Sequence, residues 1–170
     1  MTRSLMLAAA ALVAASGFAA AQQPPEARRP PPARAPETAV ALELAQTAIA
    51  RCTENGYTVA VSIVDADGLL KLFLDKDGAS KGAVETSPQK ARTALKLKEP
   101  TSVTMEKMKT DQALAAKING DSSLFVRAGG VPLMVGSALI GAVGVGGAPG
   151  GDKDEACALA GIEKVKARLK

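Results

Sequence analysis

Histidine occurs nowhere in this chain, and neither does tryptophan. The first absence removes histidine-ligated zinc and a Ser-His-Asp triad. Aromatics are scarce overall, with one tyrosine and three phenylalanines in 170 residues. So thin a supply offers no stacking platform for single-stranded nucleic acid. No G-x-x-x-x-G-K-S/T stretch is present, which excludes a Walker phosphate loop. Net charge is small, +4, and much of it lies outside the folded unit, on Arg3, Arg28, Arg29 and Arg34. The remainder is close to neutral and gives no electrostatic case for nucleic acid.

Apolar runs long enough to cross a bilayer are missing too. The longest, Leu5 to Ala15, follows Arg3 and leads into Ala19-Ala20-Ala21. A positive start, a short apolar core and small residues at the end form the pattern of a secretory signal, with cleavage expected after Ala21. Residues 22–37 hold six of the ten prolines and almost no large apolar side chain. Such a stretch cannot bury enough surface to fold and reads as an extended tether. The folded unit is then 38–170, a single-domain length. The signal implies a periplasmic or extracellular location, with no membrane span once it is removed.

Within that unit, Ala39 to Cys52 has helical spacing and stops at Asn55-Gly56. TVAVSIV (58–64) alternates as a strand, Asp65-Ala66-Asp67-Gly68 turns, and LLKLFL (69–74) returns. A helix is expected to begin or restart around Ser87, a good N-cap with Pro88 behind it, and to end before Glu99-Pro100. A second should span 103–118 with Met105, Met108 and Leu114 as its apolar stripe. VPLMV (131–135) and ALIGAVGV (138–145) flank Gly136-Ser137, a type II′ hairpin signal. A last helix begins near Asp152. Hairpins separated by helices give an α+β fold: an antiparallel sheet of four to five strands in two hairpins, flanked by helices.

The glycine-rich stretch GAVGVGGAPGG (141–151) raises the question of phosphate binding. Asp152, Asp154 and Glu155 stand at the start of the following helix. They suit its dipole but would repel phosphate. The glycines are better explained by close approach of another backbone or of a flat ligand.

Three stretches resemble the GlcG/HbpS-like family: VAVSIVDADGLLKLFLDKDGA, then KARTA at 90–94, then GGVPLMVGSALIGAVGVGGAPGGDKDEACALAGI. The likeness spans about 38–168. It implies a compact antiparallel sheet with flanking helices, homo-oligomers, and in some members binding of haem or a related tetrapyrrole. It also implies ligand-binding residues on its motifs: Asp77, then Lys90, Arg92 and Thr93, then Gly129 and Gly130, then Gly146 and Gly147. Lys90 and Arg92 are candidates for pairing with propionates. The chain departs from the family where Val145-Gly146-Gly147-Ala148 replaces Val-Ser-Gly-Ala, which deletes a hydroxyl.

Without histidine, haem would need Met, Tyr or thiolate ligation, or burial alone. Tyr57, Met105 and Met108 are the candidate ligands, with Met134 a further methionine of the domain. Asp65 and Asp67 read as turn formers, and Asp75 with Asp77 lacks the spacing of a calcium loop. Three functions follow: a binding protein for haem or another flat hydrophobic ligand, an enzyme on a small organic molecule using Lys90 or Asp77, or an interaction module. Cys52 and Cys157, one on each terminal helix, form either a disulfide suited to an oxidising compartment or two buried thiols. Intact mass with and without reductant separates these, since the bridge adds two hydrogens on reduction.

Overall fold

The computed structural model describes residues 33–170. The expected signal sequence and the first part of the expected tether lie outside the described residues. The tether's last residues, 33–37, lie against the domain: the Arg34 carbonyl accepts the Ala66 amide at 2.8 Å, and Pro36 is buried.

The order is α1 (Thr38–Glu54), β1 (Ala60–Asp65), β2 (Leu70–Asp75), α2 (Lys81–Leu97), α3 (Thr101–Thr110), α4 (Gln112–Asn119), β3 (Gly130–Val135), β4 (Ala138–Gly146) and α5 (Gly151–Val165). Four strands form one antiparallel sheet in the order β2-β1-β4-β3. The two hairpins thus meet through β1 and β4. Gly136 turns the second hairpin with φ +59°, while Ser137 stays out of the left-handed region, as a II′ turn requires.

Strand alternation sorts side chains to two faces. Val61, Ile63, Val143 and Val145 point to one, where Leu44, Ala48 and Ala158 of α1 and α5 complete the main core. On α1 the buried residues Val40, Ala41, Leu44, Ala45, Ala48 and Cys52 recur every three or four positions. Gly161 lets α5 approach closely, since a Cβ there would lie 2.5 Å from the Leu44 carbonyl. Cys52 and Cys157 are joined as a disulfide across this helix pair, with Cα atoms 5.6 Å apart. Closing a loop of that length, 105 residues, is worth about 4–5 kcal/mol in the chain-entropy account.

Over its second half, the other face of β4 presents Ala142, Gly144 and Gly146, with Gly130 beside Gly144 on β3. Helix α2 lies in this trough with its backbone against the strand backbone. A methyl group at Gly144 would collide with the Ser87 carbonyl and the Ala91 amide, and one at Gly130 with the Lys90 carbonyl. The glycines therefore serve helix packing.

Two helix boundaries differ from the sequence expectation. Helix α2 starts at Lys81, capped by Ser80, whose Oγ accepts the Ala83 amide at 3.1 Å. Ser87 is buried in mid-helix and shares a 2.9 Å hydrogen bond with Ser62 Oγ. Pro88 is inside the helix. Docking on the glycine trough favours the extra turns enough to offset the amide that Pro88 lacks. The single helix expected at 103–118 is two helices. Asp111 breaks it in an extended conformation and caps α4 by accepting the Leu114 amide at 2.9 Å. Among the described residues, no helix is long and apolar enough to cross a membrane.

The trough makes opposite predictions for two glycines. Gly144→Ala should destabilise by about 3 kcal/mol or more, because two backbones must separate. Gly82→Ala, on an exposed helical position with only Ser80 Oγ near, at 3.8 Å, should stabilise by up to about 1 kcal/mol. Urea unfolding of both variants measures the contrast.

Candidate functional site

A cleft of about 820 Å³ opens between the first half of α2, helix α3, the segment 125–128 and the start of α5. Its apolar lining includes Ala83, Met105, Phe125 and Leu159. Leu159, 48% exposed, lies on this lining.

Lys90 forms part of the wall. The trough sets α2 so close to the sheet that this lysine is only 5% exposed. Its ammonium donates to Asp154 Oδ2 at 2.6 Å and to the Val145 carbonyl at 2.9 Å. The second oxygen of Asp154 accepts the Ala148 amide at 2.9 Å. One ion pair thereby ties α2, β4 and α5 together beneath the cleft. Burial pushes the Asp154 carboxyl above the usual carboxylate range, while Lys90 and the Ala148 amide pull the other way. Gly129 sits directly beside the pair, at φ +118°, and a Cβ there would lie 2.8 Å from Asp154 Cβ and 2.9 Å from Lys90 Nζ.

The 125–130 segment is positioned by side chains from three helices. Thr93 of α2 accepts the Phe125 amide at 2.8 Å. On α3, Met105 sulfur accepts the Ala128 amide at 3.0 Å and Thr101 Oγ accepts the Gly130 amide at 3.0 Å. Glu155 of α5 accepts the Gly129 amide at 3.3 Å and the Ser102 hydroxyl at 2.6 Å. Irregular chain at the cleft's edge is thus held through the amides of Phe125, Ala128, Gly129 and Gly130. Glu106 is paired with Lys109 at 2.6 Å. Arg127 is exposed on the lining, and among the described residues no carboxylate pairs with it.

Of the residues singled out from the sequence, Lys90, Met105 and Gly147 line the cleft. Gly129, Gly130 and Gly146 adjoin it through Lys90 and Thr86. Thr93 acts from behind, through Phe125. Arg92 lies elsewhere, exposed, donating to the Gly68 carbonyl at 3.3 Å. Asp77 lines a separate hollow between α1 and the end of β2. Tyr57 lies under the Lys153 ammonium, 5.5 Å from its ring centre, and Met108 faces another depression beside Ile118. Sequence reasoning missed Asp154, Glu155, Ser102 and Arg127 as cleft residues. The first two were visible only as dipole-compensating acids at a helix start. Among the described residues, no three carboxylate, cysteine or histidine side chains converge as a metal site.

An open, mostly apolar cleft on an antiparallel α+β domain is its candidate small-ligand site. The chain belongs to the haem-degrading HbpS-like family, whose model matches residues 37–163. It is similar to Streptomyces reticuli HbpS, solved as a double mutant, at 28% identity and TM-score 0.73, covering 86% of this chain and 98% of that one. It is also similar to a PduOC protein solved in complex with haem, at 25% identity and TM-score 0.66, covering 76% and 94%. An uncharacterized 15.0 kDa protein of Citrobacter freundii, from the dhaT-dhaS intergenic region, is 29% identical over 110 residues, 64% of this chain and 78% of that protein.

Removing the Lys90 ammonium leaves a buried carboxylate without its cation. Lys90→Met should destabilise by about 3–5 kcal/mol at pH 7, and Lys90→Met/Asp154→Leu by less than the sum of its single changes. In Lys90→Met the folded state holds the Asp154 proton to a higher pH than the unfolded chain does. Its deficit should therefore shrink between pH 7 and pH 5. Urea unfolding at both pH values reads both effects.

Proposed function

We propose that this protein binds haem, or a closely related flat hydrophobic ligand, in the cleft between α2, α3 and α5, and that it does so as a secreted homo-oligomer. The observation that carries the reading is the cleft's composition. Apolar side chains line it, and an exposed arginine without an ion partner among the described residues stands at its edge. Its volume lies in the range of small-molecule sites, about 300–1,000 Å³. Family membership and the haem complex of a structurally similar protein support haem in particular.

The residues present fit the group. Ala83, Met105, Phe125 and Leu159 suit the faces of a macrocycle, and Arg127 suits a propionate. Of the ligand candidates read from the sequence, Met105 is the one that lines the cleft and would hold the iron there, on giving up the Ala128 amide its sulfur now accepts. Haem, when bound, supplies iron-centred redox chemistry. The chain's own part is to exclude water from the macrocycle and orient its carboxylates. Lys90, read from the family motif as a propionate partner, already donates to Asp154 and to Val145. That engagement favours Arg127 for the propionate role and disfavours Lys90 as a free base. The signal-like N-terminus and the Cys52–Cys157 bridge support an oxidising compartment.

Haemin titration is the test. A shifted Soret band should saturate at micromolar protein, and Arg127→Glu should weaken binding about tenfold or more by placing a carboxylate against a propionate. A haemin spectrum unchanged by the protein would overturn the reading.

A further inference from the structure

The sheet has two outer edges, and they are not equivalent. On β3 the Val145 amide donates to the Gly129 carbonyl at 2.9 Å, which sets the phase of the β3–β4 ladder. With that phase Val131 and Leu133 bond inward to β4, while Gly130, Pro132 and Met134 face outward. Proline has no amide to offer, so Pro132 blocks the middle of this edge. On β2 the Lys76 amide donates to the Val59 carbonyl at 3.0 Å. The same logic turns Leu72 and Leu74 inward to β1 and leaves the amides and carbonyls of Lys71, Phe73 and Asp75 facing outward. No proline interrupts that edge. Among the described residues, the main elements packed on β2 are β1 and α1.

The exposed residues of β2 are complementary to their own reverse. Antiparallel pairing of two β2 strands about a two-fold axis at Phe73 sets Lys71 opposite the partner's Asp75, and Asp75 opposite the partner's Lys71. These are the positions whose backbone groups face out, so the register satisfies free donors and acceptors as well as charge. Leu72 and Leu74 would meet the partner's Leu74 and Leu72 on the face toward α1. Lys71 and Asp75 are both exposed, and among the described residues neither has an ion-pair partner. Leu69 and Leu70, 65% and 51% exposed, extend the apolar surface at the start of the strand.

We propose that β2 is the contact edge for a second copy of this chain, paired antiparallel about Phe73 to make a continuous eight-stranded sheet across the two-fold axis. This rests on the homo-oligomer reading above and is independent of the haem reading. The register is isologous, as a two-fold contact must be.

Charge reversal tests it. Lys71→Glu sets a new carboxylate against the partner's Asp75, and Asp75→Lys sets a new ammonium against the partner's Lys71. Each single variant should associate at least about tenfold more weakly than the wild type, seen by sedimentation as a halved mass. Circular dichroism should be unchanged, because neither side chain has an internal partner. Mixed in equal amounts, the two variants should reassociate.

 In the register about Phe73 both pairs of the heterodimer are of opposite charge: the new carboxylate faces the new ammonium, and the unchanged Asp75 of one chain faces the unchanged Lys71 of the other. The double variant should also regain the wild-type mass. A monomeric wild type would overturn the homo-oligomer reading and this one together. An oligomer unaffected by either reversal, or single variants that dissociate but fail to reassociate when mixed, would overturn the edge pairing alone.

Discussion

Helix α2 rests on β3 and β4 with main chain against main chain, because Gly130, Gly144 and Gly146 offer no side chain to hold it away. Much else follows from this separation. It brings the Lys90 ammonium within reach of the Val145 carbonyl on the sheet and of Asp154 on α5. It brings Thr93 to the Phe125 amide, and so sets one margin of the cleft. It also makes the helix continuous through Pro88, where isolated propensity would have interrupted it.

The Lys90–Asp154 pair is placed where charge is expensive. Taking two ions out of water costs several kcal/mol each, and the attraction between them repays this only with good geometry and satisfied neighbours. Here both oxygens of Asp154 are engaged, and two of the three lysine donors are used. The pair adds little to stability over a well-packed apolar pair but specifies a single arrangement of α2, α5 and the 145–148 turn. A ligand site that depends on the relative placement of three elements benefits from such a joint. The cleft above it presents apolar surface, and Lys90, Asp154 and Glu106 on its lining are already ion-paired.

Much of the architecture was legible. Alternation in 58–64 and 69–74, the Gly136-Ser137 turn, and the spacing of Val40, Leu44 and Ala48 each report a local period, and each element formed where that period lay. Helix α2's true start was hidden because Ser80 and Ser87 are equally good caps locally, and only docking on the glycines chooses between them. The break at Asp111 was hidden for the converse reason. The apolar stripe through Met105, Met108 and Leu114 continues past a cap that the periodicity does not register. The family motifs scattered in space: Lys90 and Gly129 meet at the cleft, whereas Arg92 and Asp77 lie elsewhere.

The sequence by itself determined the antiparallel hairpins, the terminal helices and the presence of a close-approach surface around 141–147, since these depend on residues near one another in the chain. Tertiary structure alone decided that Lys90 would neutralise Asp154, that Thr93, Thr101, Met105 and Glu155 would each hold one amide of the same segment, and that Arg127 would stand on the cleft's edge. Partners separated by 64 positions in the chain leave no periodic trace, because their meeting is set by how closely a helix can lie on a sheet.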